Sequence, residues 1–342
     1  MTELYRGPGG KGPRIVAIGG GTGLSTMLRG LKRYTNNITA IVTVADDGGG
    51  SGVLRQELGM LPPGDIRNCL EALANVEPLM GELLHYRFTE GSLRGQSFGN
   101  LFLAALNGIS GSFEQAVSSM SQVLAITGAV LPVTNANVQL EAEFENGARV
   151  LGESKIFYCK KQEQCRVQRV RLLPERPAAL PQALAAIAEA DMIVLGPGSL
   201  YTSVIPNLLV DGISEAILAS DALKVYVGNV MTQEGETEEY SHSDHIRAIF
   251  EHSAPGLFSL SLVNSLSIPA QVCERYAFEG AEPVRVDKQN CAALGVELIE
   301  RPVSCVANGY VRHDGELLAA ALLELHGRRR VRIAGEERYR RE

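Results

Sequence analysis

Loops rich in Gly, Ser, Thr, Asn and Asp follow the apolar runs of this chain, and they are the places where its chemistry should concentrate. The first, Gly19-Gly20-Gly21-Thr22-Gly23, lets backbone N–H groups approach an anion because glycine has no Cβ. The helix predicted after it offers its positive N-terminal end, so the loop suits a phosphate or diphosphate, with the Thr22 hydroxyl where a ligand oxygen would rest. A merely tight turn is the alternative. The spacing is not G-x-G-x-x-G, because the last position counted from Gly19 is Leu24, and the G-K-[ST] ending of a Walker A loop is missing.

The second loop opens with Asp46 and Asp47 and continues Gly48-Gly49-Gly50-Ser51-Gly52. Two adjacent carboxylates beside a glycine nest suit Mg²⁺ bridging a diphosphate, or a ribose as in a dinucleotide-binding protein, whereas the plain alternative is a charged turn with an Asx cap. In Pro62-Pro63-Gly64-Asp65-Ile66-Arg67-Asn68, Asp65 reads as an N-cap, with Arg67 and Asn68 in the first helical turn. An Arg there opposes the helix dipole, which favours anion contact over structural convenience. Ser97-Phe98-Gly99-Asn100 is a similar approach to a helix, as ligand contact or as a capped core helix. Gly196-Pro197-Gly198-Ser199, Gly228-Asn229 and Asn264-Ser265 end the later strands.

Other groupings are weaker. His242 and His245 are spaced i, i+3 with Asp244 nearby, but Ile246, Ile249 and Phe250 make that stretch an ordinary amphipathic helix rather than a metal site. No Ser-His-Asp or Cys-His set is legible. From His326 to Glu342 there are seven Arg against three Glu, a pattern of a solvated or frayed basic end, with an acidic partner or a nucleic acid as the other reading.

These loops need a scaffold. R-I-V-A-I from Arg14 predicts a strand, Leu24, Met27, Leu28 and Leu31 a helix, and Ile38 to Val44 a second strand, so the crossover implies parallel pairing. Helices are predicted at Asp65 to Asn75, at Asn100 to Leu106 and from Ser112, with Gln115 as its capping-box partner. Val138 to Phe144 and Ala148 to Gly152 flank the hairpin signal Asn146-Gly147, and Arg166 to Leu172 alternates, which places an antiparallel insert over 137–173. Strands resume at Met192 to Leu195, Lys224 to Val227 and Leu257 to Val263. Helices are expected at Gln182 to Glu189, Ser214 to Ala219 and Ser241 to Phe250, and from an Asp314 cap to a Gly327 stop. The expected fold is α/β, a doubly wound, mostly parallel Rossmann-like sheet with a small antiparallel β insert. It has a flexible N-terminus over 1–13, one domain over 14–326 and a basic tail over 327–342.

The 342 residues are 45% apolar and 21% charged, which excludes disorder, and 36 glycines fit a loop-rich protein. A formal charge of -7 argues against broad nucleic-acid binding. No apolar run approaches a membrane span and no signal-peptide core opens the chain, so a cytoplasmic location is expected, with six sparse cysteines as reduced thiols.

Taken together, Gly19 to Leu24, V-T-V-A-D-D-G-G (42–49), P-P-G-D-I-R-N-C-L (62–70), S-F-G-N-L (97–101), L-G-P-G-S-L-Y-T-S (195–203), M-T-Q-E-G-E-T (231–237), E-R-Y-A-F-E-G-A (274–281) and Y-V-R-H-D (310–314) resemble the bacterial YvcK-type gluconeogenesis factors of the CofD-like superfamily. The resemblance spans Arg14 to about Leu325. It implies a cytoplasmic protein that binds a UDP-sugar, notably UDP-N-acetylglucosamine, and supports cell shape and envelope synthesis under gluconeogenic growth. Carried over by motif, the family's ligand contacts fall on Thr22, Tyr276, which would stack on uracil, and Arg312, which would pair with a diphosphate oxygen. The superfamily's enzymes transfer a phospholactate-type group using Mg²⁺ held by Asp. They usually read G-T-G-T-P-K and N-T-G-D-D, where this chain has G-T-G-L-S-T and V-A-D-D-G-G, so it sides with the regulators. Gln96 stands where His is common, Gly50 where Ser is, and Asn264-Ser265-Leu266 replaces N-N-G; Gln96 cannot titrate, which removes an acid-base role there.

The expected ligand set is therefore Gly20, Gly21, Thr22, Gly23, Asp46, Asp47, Arg67, Asn68, Asn100, Gly198, Ser199, Asn229, Asn264, Tyr276 and Arg312, with Arg67 and Arg312 offsetting phosphate charge and Mg²⁺ on Asp46 and Asp47. NAD is the alternative ligand and a Mg²⁺-dependent transferase the alternative function. A protein partner and a homo-oligomer are further expectations; a membrane or nucleic-acid partner is not.

Overall fold

A computed structural model describes residues 12–339, with side chains through residue 331. The strands β1 (Ile15–Gly19) and β2 (Ile38–Val42) are continuous apolar runs buried along nearly their whole length, as a parallel sheet covered on both faces requires. Between them α1 (Gly21–Leu31) buries Leu24, Met27, Leu28 and Leu31. After β2 come α2 (Gly49–Leu58), α3 (Gly64–Leu73), α4 (Pro78–His85), α5 (Phe98–Ile109), α6 (Phe113–Val123) and β3 (Ala129–Pro132). The insert follows as β4 (Gln139–Phe144), β5 (Arg149–Leu151), α7 (Glu153–Glu163) and β6 (Val167–Leu173), an antiparallel sheet in the order β5-β4-β6. The main sheet resumes with α8 (Pro181–Glu189), β7 (Met192–Leu195), a π-helical turn (Leu200–Val204), α9 (Ile205–Leu208), α10 (Ile213–Ala219), β8 (Leu223–Val227), α11 (His242–His252) and β9 (Leu260–Asn264). The chain ends with α12 (Ala270–Phe278), α13 (Lys288–Ala293), β10 (Glu297–Arg301), the hairpin β11 (Ser304–Ala307) and β12 (Tyr310–His313), and α14 (Gly315–Tyr339).

The main sheet runs β10-β9-β8-β7-β1-β2-β3 and every pairing in it is parallel. Strand order advances outward from β1 on one side and from β7 on the other. Right-handed crossovers therefore put helices on opposite faces, and the carboxyl ends of β1 and β7 form the topological switch point. The doubly wound expectation and the antiparallel insert both hold. Among the described residues no helix is long and apolar enough to cross a membrane.

Four expectations are corrected. The run Gly48–Gly52, read as a nest, instead opens the helix α2, because Asp46 Oδ1 accepts the Gly48 N–H at 2.8 Å and fixes the entry turn. The edge strands β3 and β10 were not foreseen. The Gln115 side chain accepts the Gly111 N–H rather than reciprocating the Ser112 cap. Lastly, α14 does not stop at Gly327: an interior glycine costs only about 1 kcal/mol, and the buried stripe Leu318, Leu322 and Leu325 holds the helix against the core. Residues 1–11 of the expected flexible N-terminus and residues 340–342 of the basic tail lie outside the described residues.

One packing contact matters for the site. Gly30 of α1 lies so close to Gly315 at the start of α14 that a Cβ at residue 30 would overlap the Gly315 carbonyl. Two helices that meet backbone to backbone hold the preceding strand, β12, alongside α1.

Candidate functional site

At the switch point the first loop threads a gap that only glycine fits. A Cβ on Gly20 would stand 2.5 Å from Asp65 Oδ2, one on Gly23 would stand 2.6 Å from the Pro197 carbonyl oxygen, and Gly21 has a left-handed φ of 67°. Buried Asn207 donates to the carbonyls of Gly19 (3.1 Å) and Ser203 (2.8 Å). Asn229 Nδ2 donates to the Gly198 carbonyl at 3.0 Å, and Ser199 Oγ to Gln233 Oε1 at 2.7 Å. Gly20, Gly21, Thr22, Gly23, Gly198, Ser199 and Asn229 are thus brought together. Thr22 is exposed with its hydroxyl unpartnered, and the N-cap position of α1, Gly20, has no side chain to cap the helix.

The acids lie beside that loop but are bonded into the fold. Asp65 accepts the Gly21 N–H, and burial, reinforced by Asp46, pushes its carboxyl up to about 6. Asp46 takes the Gly48 N–H and a Ser51 hydroxyl and packs against Gly64; burial raises its carboxyl as well. Asp47 Oδ1 accepts the Ser154 N–H at 2.8 Å, so it serves the N-terminus of α7.

Two carboxylates absent from the expected site join them. Glu236 is 2% exposed; its Oε1 accepts the N–H groups of Tyr201 (2.7 Å) and Thr202 (3.0 Å), its Oε2 has no partner, and burial pushes it up to about 7. Glu153, at the start of α7, is pushed up to about 8 by burial and then by Asp46, Glu236, Asp47 and Asp65. The ion pairs Lys160–Glu238 (3.0 Å) and Lys161–Glu234 (2.6 Å) fasten α7 over this region.

The remaining expected residues divide. Arg67 does not offer the switch point a free charge: Nη1 pairs with Glu71 Oε1 at 2.7 Å, Glu71 is also met by His85 at 3.2 Å, and Gly99 leaves room for the arginine stem. Asn68 makes no side-chain hydrogen bond, while buried Asn100 and Gln96 each keep an unpaired amide oxygen. Asn264 spends its amide on Leu266 and on the Val303 N–H. Tyr276 is buried, its hydroxyl exchanging hydrogen bonds with Val311 (3.0 and 3.3 Å) and its ring edge-on to Tyr310, so the face expected to stack on a base is packed. Arg312 is exposed and leans on the Tyr310 ring at 5.4 Å, on the strand beside α1.

His242 and His245 are buried neighbours in α11, and Asp244 forms a capping box with Ser241, so the helix reading stands. Among the described residues no group of three His, Cys, Asp or Glu is placed to hold a metal.

The family model for the 2-phospho-L-lactate transferase CofD matches residues 15–304. A Thermoanaerobacterium thermosulfurigenes protein, provisionally named gluconeogenesis factor, is 56% identical over 316 residues, 92% of this chain and 97% of its own. The gluconeogenesis factor of Bacillus subtilis is 49% identical over 317 residues, 92% of this chain and 99% of its own. A crystal structure of a UPF0052-family protein from Bacillus halodurans, 48% identical, superposes with a TM-score of 0.88 over 91% of this chain and all of that one.

Proposed function

This chain belongs to the CofD family, with gluconeogenesis factors as relatives, and from that premise we propose that it is a cytoplasmic nucleotide-sugar-binding regulator. The ligand in this reading is UDP-N-acetylglucosamine, and the role is support of cell shape and envelope synthesis under gluconeogenic growth. The observation that carries the reading is the unpartnered Thr22 hydroxyl in the first turn of α1 at the β1/β7 switch point, where a diphosphate gains both a hydroxyl and a helix dipole whose first N–H alone is taken by Asp65. Because Arg67 is committed to Glu71, the positive charge comes from Arg312 or from Mg²⁺. Asp47 has one oxygen beyond its bond to Ser154, which fits a Mg²⁺ carried in largely by phosphates and water, the usual way that ion is held. Bound there, the ion would neutralise diphosphate charge.

Calorimetry with UDP-N-acetylglucosamine, with and without Mg²⁺, tests this: saturation in the micromolar range, about -8 kcal/mol, is expected, and no heat at millimolar ligand ends the reading. NAD in excess should fail to displace the sugar nucleotide.

A second reading, a Mg²⁺-dependent transferase acting on a nucleoside-diphosphate-linked donor, is favoured by one observation: Asp65, Glu236 and Glu153 are all held near or above pH 6, where a carboxyl can trade a proton. Sustained release of nucleoside phosphate that disappears in Asp47→Asn would support it.

A further inference from the structure

Beyond the carboxyl ends of β8 and β9 lies a cavity of about 190 Å³. It holds about six waters at roughly 30 Å³ each, space for a single ring but not for a whole nucleotide sugar. Asn229, His242, Asn264 and Ser267 supply its polar atoms, Val230 and Ile268 belong to its apolar walls, and no charged side chain lines it. Asn229 also holds the Gly198 carbonyl, so the cavity adjoins the loop after β7 at the switch point.

The hydrogen-bond network assigns the tautomer of His242, which is 1% exposed. Ser261 Oγ gives its single proton to the Tyr226 carbonyl (3.1 Å) and can therefore only accept from His242 Nε2–H (2.8 Å). That leaves His242 Nδ1 as a lone pair with no partner. The ring is fixed by stacking on Tyr226, 5.7 Å between centroids, and by Gly228, where any Cβ would overlap it. Burial and the neighbouring His245 keep the ring neutral, its pKa pushed down to about 3. The same cavity lining offers donors: the second N–H of Asn229 and the hydroxyl of Ser267.

We propose that this cavity is a nucleobase subsite in which His242 Nδ1 accepts the ring N–H of a uracil-type base while Asn229 and Ser267 address its carbonyl oxygens. The proposal rests on the nucleotide-binding reading above and deepens it. Cytosine and adenine present a lone pair where uracil presents N–H, so acceptor would face acceptor at a buried histidine. Guanine has a ring N–H but needs a second ring's volume.

Equilibrium dialysis of the full chain with UDP, CDP, GDP and 3-methyl-UDP, in which a methyl replaces the ring N–H hydrogen, decides it. UDP should bind at least about tenfold tighter than CDP and 3-methyl-UDP. In His242→Gln, whose amide can turn to donate or accept, the preference for UDP over CDP should shrink to less than about threefold. Equal binding of all four to the wild type overturns the subsite and leaves the nucleotide-binding reading intact; no binding of any at millimolar concentration overturns both. A ¹⁵N spectrum of the wild type gives a check that needs no variant: His242 should carry its proton on Nε2, and a proton on Nδ1 refutes the assignment.

Discussion

Asp47 Oδ1 accepts the Ser154 N–H at 2.8 Å across 107 positions of sequence, so the acid that ends the β2 loop also caps the helix of the antiparallel insert. A carboxylate at a helix N-terminus satisfies an orphan donor and complements the dipole. Through this bond the insert is tied to the switch point, and Glu153 is held among the acids of the main domain.

Asp47→Ala should therefore cost about 0.5–2 kcal/mol, the range for losing an N-cap acceptor, with Asp47→Asn milder because its amide oxygen can still accept. Hydrogen exchange should rise first in α7, with β1 and β7 unchanged. Uniform acceleration over the whole chain would refute this local role.

Gly30→Ala improves intrinsic helix propensity by about 1 kcal/mol, yet its Cβ meets the Gly315 carbonyl. Overpacking should win and the protein should lose about 1–3 kcal/mol in denaturant unfolding. A stabilised variant would show that α1 and α14 are not in backbone contact.

The strands β1, β2, β7 and β8 were legible because each is an apolar run ending in a glycine-containing loop, a pattern that buried parallel strands impose. The helix α2 was hidden because its first residues, Gly49-Gly50-Ser51-Gly52, have poor helix propensity. It forms because Asp46 fixes the turn and Arg55 anchors the helix to Asn137 (2.7 Å), bonds that only the folded chain can make. A signal for β11 and β12 was present and unread: Asn308-Gly309, with φ of 53° and 78°, is the pair a tight hairpin favours. Glu153 had no comparable signal, and Glu236, though inside the M-T-Q-E-G-E-T stretch, had nothing in its type or spacing to assign it a role; both meet the Asp cluster only through the insert and the turn at Leu200–Val204. Arg67 was misread for a related reason: its first-turn position suggested an anion, but its partner Glu71 lies one turn along the same helix.

Arg67 and Thr22 should accordingly separate stability from binding. Arg67→Ala leaves Glu71, 3% exposed, without its guanidinium and should cost about 3 kcal/mol, as removal of one partner from a buried pair does. Thr22→Val, at an exposed hydroxyl with no internal partner, should leave the melting temperature unchanged and weaken UDP-N-acetylglucosamine about tenfold. Calorimetry and thermal melts on the two variants check both; a Thr22→Val protein that binds normally would remove the first loop from the site.

The buried acids also set the pH dependence of stability. Glu236 and Glu153 are held at about 7 and about 8, against roughly 4.3 in an unfolded chain. Between those limits the folded protein keeps protons that the unfolded chain has released, so stability falls as pH rises and levels off above about 8. His242 and His313, held down at about 3 and about 4, act in the opposite sense, but only below about pH 6.5, where the unfolded chain takes up protons that the buried rings refuse. Between about pH 6.5 and 8 the carboxyls therefore dominate, and the wild-type melting temperature should decline across that window. Glu236→Gln keeps an oxygen for the Tyr201 and Thr202 N–H groups while removing the charge. It should raise the melting temperature more at about pH 8 than at about pH 5.5, and an equal gain at both would mean that Glu236 is already ionised in the folded protein across that window.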